Sequence, residues 1–314
     1  MAGTYPSRRP LRGYALAAAA ATMWALNGSI ARFLLDDGVS AARLSQLRSM
    51  GSFLILLAVL AFARPALLRV RRAEVRDLAF LGIAGLALVH AAYFAAIDRL
   101  EIGVALTIQY LAPVLLLLWL RLAHGRHLQP GLWGAVLLSV TGCFFVVRAY
   151  DAAGLDGIGV LAAFGAAVTF ALYMVGSERA GHRHEPATTL LWAFGFASLF
   201  WAVVQPWWAF PFDRFDSADA LLQGLGVVVI GTLLPFLCIV AALRHLPAPR
   251  AAVMATLEPV LAALFAWLIH AEALATVQIA GGCAVLVAVA WVQSHRPDLE
   301  QEAAPPLAHR SKHG

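Results

Sequence analysis

Charge is scarce in this chain. Only 13% of its 314 residues are Asp, Glu, Lys or Arg, about half the roughly 25% of a soluble domain. Hydrophobic residues make up 61%, and the mean hydropathy is +0.77. A water-soluble fold could not cover so much apolar surface, so lipid is the expected solvent. Cysteine is equally sparse: Cys143, Cys238 and Cys283 each fall within an apolar run, without metal-ligand spacing. A disulfide framework and a metal site are therefore excluded, and no cofactor is expected. There is no Gly-rich phosphate loop, nucleophile elbow, HExxH helix or paired His/Cys cluster, which argues against an ATP-driven mechanism. A formal charge of +5 would suit nucleic acid, but the densest basic cluster, Arg64 to Arg76, is a short connection between apolar runs. That is where the cytoplasmic flank of a membrane helix carries arginine, so no nucleic-acid partner is expected.

What the chain does contain is apolar length. Crossing about 30 Å of hydrocarbon takes roughly 17–25 helical residues. Suitable stretches run near 12–34, 42–63, 78–98, 102–121, 131–149, 157–178, 187–208, 221–243, 250–270 and 275–294. The AAAAATMWA run in the first is like a secretory signal, but that stretch is too long for one and further spans follow it. With ten spans and a cytoplasmic N-terminus, seventeen of the 23 basic residues fall inside. Arg32, Arg43, Arg99, Arg148 and Arg214 fall outside, and Arg48 lies within a span. Acidic residues lean outward, with Asp36, Asp98, Asp156, Asp213 and Glu272 as examples. A span more or fewer would invert every later loop and spoil this bias, so both termini are expected in the cytoplasm. Trp119, Trp133, Trp192, Trp207, Trp208, Trp267 and Trp291 fall near span ends, where an indole favours the interface. The segment from 295 is too polar to pack and reads as a disordered tail.

The two halves resemble each other. YLAPVLLLLWLRLAHGRHL, starting at Tyr110, aligns with TLEPVLAALFAWLIHAEAL, starting at Thr256, at an offset of 146. Pro113 meets Pro259, Val114 meets Val260 and His124 meets His270, pairings that Leu and Ala bias does not produce. Five spans per half is an odd number, so the second half must enter the membrane from the opposite side. The expected fold is an all-α integral membrane protein of ten transmembrane helices in two inverted five-helix repeats. The expected boundaries are a cytoplasmic N-terminal segment at 1–11, repeats at 12–149 and 150–294, and a cytoplasmic tail at 295–314. Inverted repeats are a recurrent transporter design, with the substrate near the midplane between the halves.

On these segments the sequence resembles the EamA-type transporters of the drug/metabolite transporter (DMT) superfamily. The most specific portion is LEPVLAALFAWLIHAEALATVQIAGGCAVLVAVAWV; YFAAIDRLEIGVALTIQYLAPV and TMWALNGSIARFLL are similar to earlier helices of that family. Arg48, in LSQLRSMGSFLILL, stands where the family commonly has arginine. Arg126 departs from the family's preference for Glu after the first proline helix, whereas Glu272 fits it in the second half. The resemblance implies a cavity lined mainly by helices 1, 3, 4, 6, 8 and 9. It also implies transport, often efflux, of amino acids or other small metabolites across the bacterial inner membrane.

A charge in the bilayer core costs roughly 2.5–3.5 kcal/mol on insertion scales, so it is a functional candidate. Glu258 and Arg48 are the two such residues read from the sequence. Glu258 either faces the cavity, binding a substrate cation or exchanging a proton, or bonds polar groups near the kink at Pro259. Arg48 either binds a substrate carboxylate through its fork or snorkels to the outer face or an acid there. Trp24, Asn27, His90, Tyr93, Gln109, Tyr110, Tyr173 and Thr232 complete the substrate-binding or gating candidates, with Thr107 and Thr169 beside them. Each could equally make an ordinary helix–helix hydrogen bond. Pro113 and Pro259 interrupt helices at matching places, which points to a transporter site. Gly82/Gly85, Gly224/Gly226 and Gly281/Gly282 suit close helix approach. The expected function is secondary transport of a small metabolite, such as an amino acid, by alternating access and in the direction of export. Its partners are that solute and the lipid bilayer; oligomeric state is left open. A membrane-embedded enzyme would need a convergent catalytic set, and a channel a ring of like polar groups. These are the alternative readings: Glu258, His90 and Arg48 are scattered over different helices and depths, and the inverted repeat favours alternating access over a channel.

Overall fold

The computed structural model describes residues 9–125, 128–152, 154–270 and 273–294, and every regular element among them is helical. Arg126, Glu272, the tail from 295 and most of the N-terminal segment lie outside the described residues. The chain runs through α1 (Pro10–Asp36), α2 (Ala41–Ala63) and α3 (Arg72–Phe80). A π-helical stretch at Leu81–Ala87 joins α3 to α4 (Leu88–Ile97). Then come α5 (Ile102–Gln109), α6 (Ala112–His124), α7 (Pro130–Val146), α8 (Gly157–Gly181) and α9 (Pro186–Val204). α10 (Ala218–Val228) continues through a second π-helical stretch, Val229–Leu233, into α11 (Leu234–Ala242). The chain closes with α12 (Ala248–Ala255), α13 (Leu257–His270) and α14 (Thr276–Ser294). Eight of the resulting rods among the described residues are long and apolar enough to cross a membrane, and α7 is a shorter apolar helix.

Local chemistry accounts for the ends. Proline opens α1, α7 and α9, where its missing N–H costs nothing. Ser40, Asp156 and Ser217 cap α2, α8 and α10 through their side-chain oxygens. Gly125, at φ 60°, ends α6 in the left-handed conformation that glycine adopts without strain. The seventh apolar stretch was expected to reach 208, but the helix stops at Val204. Gln205, before Pro206, is driven to φ −133° and ψ 97°. Trp207 therefore opens a short 3₁₀ turn with Trp208, outside the helix. The third rod starts at Arg72, six residues earlier than expected, because Glu74 folds back to accept from the Arg71 amide at 3.1 Å and pairs with its guanidinium at 2.6 Å.

Both prolines break their helices at the same relative place. A proline clashes with the carbonyl four residues back and offers it no N–H. Four residues before Pro113 is Gln109, the last residue of α5; four before Pro259 is Ala255, the last of α12. New helices restart at Ala112 and Leu257.

The helices are apolar around most of their circumference and leave large hydrophobic side chains outward, with Phe62 91% and Leu122 79% exposed. Such a surface needs lipid. Inside, small residues let backbones meet. A Cβ on Gly281 would lie 2.7 Å from the Gly142 carbonyl oxygen, and one on Gly142 2.7 Å from that of Gly281, so α7 and α14 cross there. Gly82 abuts the Ala193 carbonyl of α9 and Gly85 the Tyr173 backbone of α8. Gly224 meets the Phe215 ring, whereas Gly226 and Gly282 have 3.5 Å of clearance and make no close backbone approach.

Connections gather at two ends. At one, Thr188 donates to the Leu67 carbonyl (2.9 Å), Trp192 to that of Leu68 (3.2 Å), and Arg244 pairs with Glu185 (3.0 Å). At the other, Arg214 donates to the Asp37 carbonyl (2.8 Å) and Arg43 to that of Pro206 (3.0 Å).

Candidate functional site

The broken helices, the second π-helical stretch and α2 surround one polar region inside the bundle. Its centre is Arg48, seven residues along α2, roughly 10 Å from the start of that helix. Arg48 does not snorkel. Its Nε donates to Thr232 Oγ1 at 2.7 Å and its Nη2 to the Gly231 carbonyl at 3.1 Å. The α-helical partner of that carbonyl would be the amide of residue 235, and Pro235 has none. Thr232 in turn donates to the Val227 carbonyl at 2.8 Å, a bond across five residues that suits the π-helical register. Glycine is obligatory at 231, because a Cβ there would overlap the Asn27 amide of α1. Asn27 is 8% exposed, and its Oδ1 has no hydrogen-bond partner among the described residues.

Across from Arg48 stands Glu258 in the first turn of α13, where uncompensated backbone amides carry partial positive charge. Its carboxyl lies in the neighbourhood of the Tyr110 hydroxyl, which comes from the break between α5 and α6. Each break thus contributes one residue to this neighbourhood: Tyr110 lies in the first and Glu258 follows the second. The charge of Glu258 is felt by Arg48 and Tyr93, which places all three in one electrostatic neighbourhood. No carboxylate lies within 4.0 Å of Arg48 among the described residues. Gln109, next to Tyr110, leaves its buried Oε1 without a partner among the described residues.

The other candidates divide into two groups. His90 sits near Arg48, but its Nδ1 donates to its own helix at the Leu86 carbonyl (2.8 Å) and its ring stacks on Phe94. Only Nε2 is left for another partner. Tyr93 tilts against Phe94 at 5.8 Å. Trp24 and Tyr173 belong to an aromatic cluster around Phe236, with ring centroids 5.4 and 5.5 Å from it; Phe194 joins at 5.8 Å. Thr107 and Thr169 donate to carbonyls of their own helices, Gly103 and Gly165, both at 2.9 Å. They serve the helices rather than the cavity. Pro113 and Pro259 are buried and act through the breaks.

Two internal charges escaped the sequence reading. Arg250 was placed in a cytoplasmic loop, yet it is 1% exposed. Its Nη1 donates to the Val292 carbonyl at 2.7 Å and to the Tyr14 hydroxyl at 3.3 Å. A cation at the last turn of α14 complements the helix dipole and satisfies an end carbonyl. Glu178 accepts from the Ala248 amide at 3.2 Å and so caps α12 from α8. Phe236, Phe194 and Pro235 were missed as well. The proline four residues after Gly231 is the one local signal for a carbonyl that lacks its α-helical N–H donor.

The chain has relatives among known proteins. The EamA-like transporter family matches residues 11–148 and again 157–293. The chain is 28% identical over 258 residues to the threonine/homoserine exporter RhtA of Salmonella typhimurium, covering 80% of this chain and 79% of that protein. The RhtA of Escherichia coli K12 is 26% identical over the same length and coverage. An uncharacterized transporter of Archaeoglobus fulgidus is 27% identical over 269 residues, 85% of this chain and 92% of that one. A solved crystal structure superposes with a TM-score of 0.74 at 19% identity, covering 92% of this chain and 98% of that one, which establishes likeness of fold. With both halves of its length matched, the chain belongs to the EamA-like transporter family.

Proposed function

We propose that this protein is a secondary transporter that exports a small amino acid or similar metabolite by alternating access. It works as ten transmembrane helices in two inverted repeats, 12–149 and 150–294, with both termini cytoplasmic in a bacterial inner membrane. The observation that carries the reading is the placement of Arg48 and Glu258 inside the bundle, beside two proline-broken helices. The exporters RhtA among its relatives support the substrate class and direction.

The duplicated architecture is supported by recurrences at the same offset of 146. Helix starts recur at Arg72 and Ala218, Ile102 and Ala248, Pro130 and Thr276; the π-helical stretches end at Ala87 and Leu233. Contacts recur too. A Cβ on Gly13 would lie 2.6 Å from Leu246, and one on Gly159 2.7 Å from Leu100. Gly231 faces Asn27 of α1 as Gly85 faces Tyr173 of α8. The charge bias supports the orientation, because the connections that meet at the Arg244–Glu185 end are the arginine-rich ones.

In the cycle, Glu258 takes up a proton or a substrate cation from one side and loses it on the other. The break that positions it alternates between two packings. The test is uptake of labelled amino acids and metabolites into proteoliposomes, with and without an imposed pH gradient, for wild type and Glu258→Gln. Saturable uptake that responds to the gradient in wild type alone supports a proton-coupled carrier. Gradient-independent uptake in both leaves a facilitator or exchanger and returns Glu258 to a structural part. Absence of transport across a broad panel refutes the reading.

A further inference from the structure

We propose that Arg48 and Glu258 are the two poles of a subsite for a zwitterionic α-amino acid, Arg48 taking the α-carboxylate and Glu258 the α-ammonium. This rests on the transport reading above and goes further by fixing which end of the solute meets which residue.

Arg48 is held and incompletely used. Bonds from Nε and Nη2 to Thr232 and Gly231 lock the guanidinium, while its Nη1 hydrogens have no partner among the described residues. A guanidinium fixed this way is preorganised for a carboxylate. An interior cation without a touching counter-ion is costly, and the acid whose charge it feels, Glu258, lies beyond ion-pair distance. A ligand that fits between the two must present a negative group to one and a positive group to the other. A zwitterion does so without adding net charge to the membrane interior. An amine or a carboxylic acid alone would leave one pole unanswered.

The orphaned polar atoms point the same way. Asn27 Oδ1 and Gln109 Oε1 are both acceptors, buried and without donors among the described residues. Asn27 lies on Gly231, whose carbonyl Arg48 holds. A ligand rich in N–H and O–H donors would satisfy them, and an ammonium or a side-chain hydroxyl supplies such donors. The scaffold itself does not demand these charges. At the offset of 146, Arg48 corresponds to Phe194 and Glu258 to Ala112, and those helices pack without a charge there.

The experiment uses the full chain in proteoliposomes preloaded with L-threonine. It measures counterflow of labelled L-threonine against unlabelled competitors. Those competitors are L-threonine, 1-aminopropan-2-ol, which lacks the carboxylate, and 3-hydroxybutyrate, which lacks the amine. Only the zwitterion is expected to compete well, with each single-charge analogue at least about tenfold weaker, as loss of a charged hydrogen bond implies. Arg48→Gln should raise KM about tenfold or more and should erase the discrimination against 1-aminopropan-2-ol while keeping that against 3-hydroxybutyrate. Thr232→Val keeps the guanidinium but frees it, so KM should rise less and discrimination should persist. Equal competition by 1-aminopropan-2-ol in wild type overturns the subsite, a result that needs no variant to fold. So does an Arg48→Gln protein with wild-type KM and discrimination. Wild type that moves no amino acid at all overturns the transport reading and the subsite with it, which separates the two failures.

Discussion

A single methyl group at Gly281 tests the interior packing most sharply. Ala in place of Gly281 would put its Cβ 2.7 Å from the Gly142 carbonyl oxygen, 2.8 Å from Phe145 Cβ and 3.0 Å from the Val146 amide nitrogen. Two of the three are backbone atoms, which cannot rotate away, so α7 and α14 must separate. Overpacking of this kind costs about 1–3 kcal/mol, against a helix-propensity gain of up to about 1 kcal/mol for Ala over Gly. The steric cost dominates, and the net loss should lower the melting temperature by roughly 2–8 °C. Gly28→Ala is the control. Nothing lies within 4 Å of its added Cβ, so only the propensity gain acts and the melting temperature should hold or rise. Gly142→Ala should behave like Gly281→Ala, because its Cβ meets the Gly281 carbonyl at 2.7 Å. The double variant should cost clearly less than the sum of the singles, since helices already separated by one methyl accommodate the second. Intrinsic tryptophan fluorescence during a thermal ramp in one detergent reads the four variants against wild type. A Gly281→Ala protein as stable as wild type, or fully additive singles, would refute the crossing described for α7 and α14.

Other outcomes follow from the same geometry. Pro259→Ala returns an N–H to the Ala255 carbonyl and should fuse α12 to α13; the protein should stay monodisperse on gel filtration while transport falls at least tenfold, and unchanged transport would separate the break from function. Arg250→Met removes donors to the Val292 carbonyl and Tyr14, hydrogen bonds worth about 1.5–3 kcal/mol each when one partner is charged, so it should melt several degrees lower, with Arg250→Lys in between; an unshifted melt refutes the capping role. Gly13→Ala and Gly159→Ala, 146 residues apart, should destabilise by similar amounts, and a large penalty at one alone would count against the duplicated packing. In a cysteine-free background, a membrane-impermeant maleimide applied to intact cells should label Asp156→Cys and not Arg183→Cys, and the reverse pattern would invert the proposed orientation.

Element positions were legible because hydrophobic length and proline are strong, local signals. The breaks fell four residues before Pro113 and Pro259, where steric rules put them, and the offset of 146 was visible in Pro-Val and His pairings. The end of α9 was misplaced because hydropathy does not register that Gln205 precedes a proline. The site was partly legible. Charge in an apolar run singled out Arg48 and Glu258, but not the direction of Arg48, which depends on the Gly231 carbonyl of a distant helix, to which Pro235 offers no N–H. Arg250 was misread for the opposite reason. It lies at a span end, where arginine is ordinarily solvated, and only the approach of Tyr14 and α14 encloses it. Thr107 and Thr169 could not be told from cavity residues by type, since the choice between a ligand and the carbonyl four residues back is made by rotamer.

The symmetry of the helices and the asymmetry of their chemistry fit a division of labour. Contacts that recur at the offset, such as Gly13 with Leu246 and Gly159 with Leu100, are small-against-large packings that any solute would tolerate. The proposed alternation needs two arrangements of similar energy, and like contacts in both halves would supply that balance. The residues that do not recur are the polar ones: Asn27 answers to Tyr173, Arg48 to Phe194, His90 to Phe236 and Glu258 to Ala112. One flank of the interior is therefore polar and charged, and its counterpart is the aromatic cluster around Phe236. In the proposed subsite an amino acid would be oriented with its charged backbone toward Arg48 and Glu258 and its side chain free to meet the aromatic flank. Specificity should then be tuned on the aromatic side. Phe236→Leu should change which amino acids are carried more than it changes the requirement for both a carboxylate and an amine.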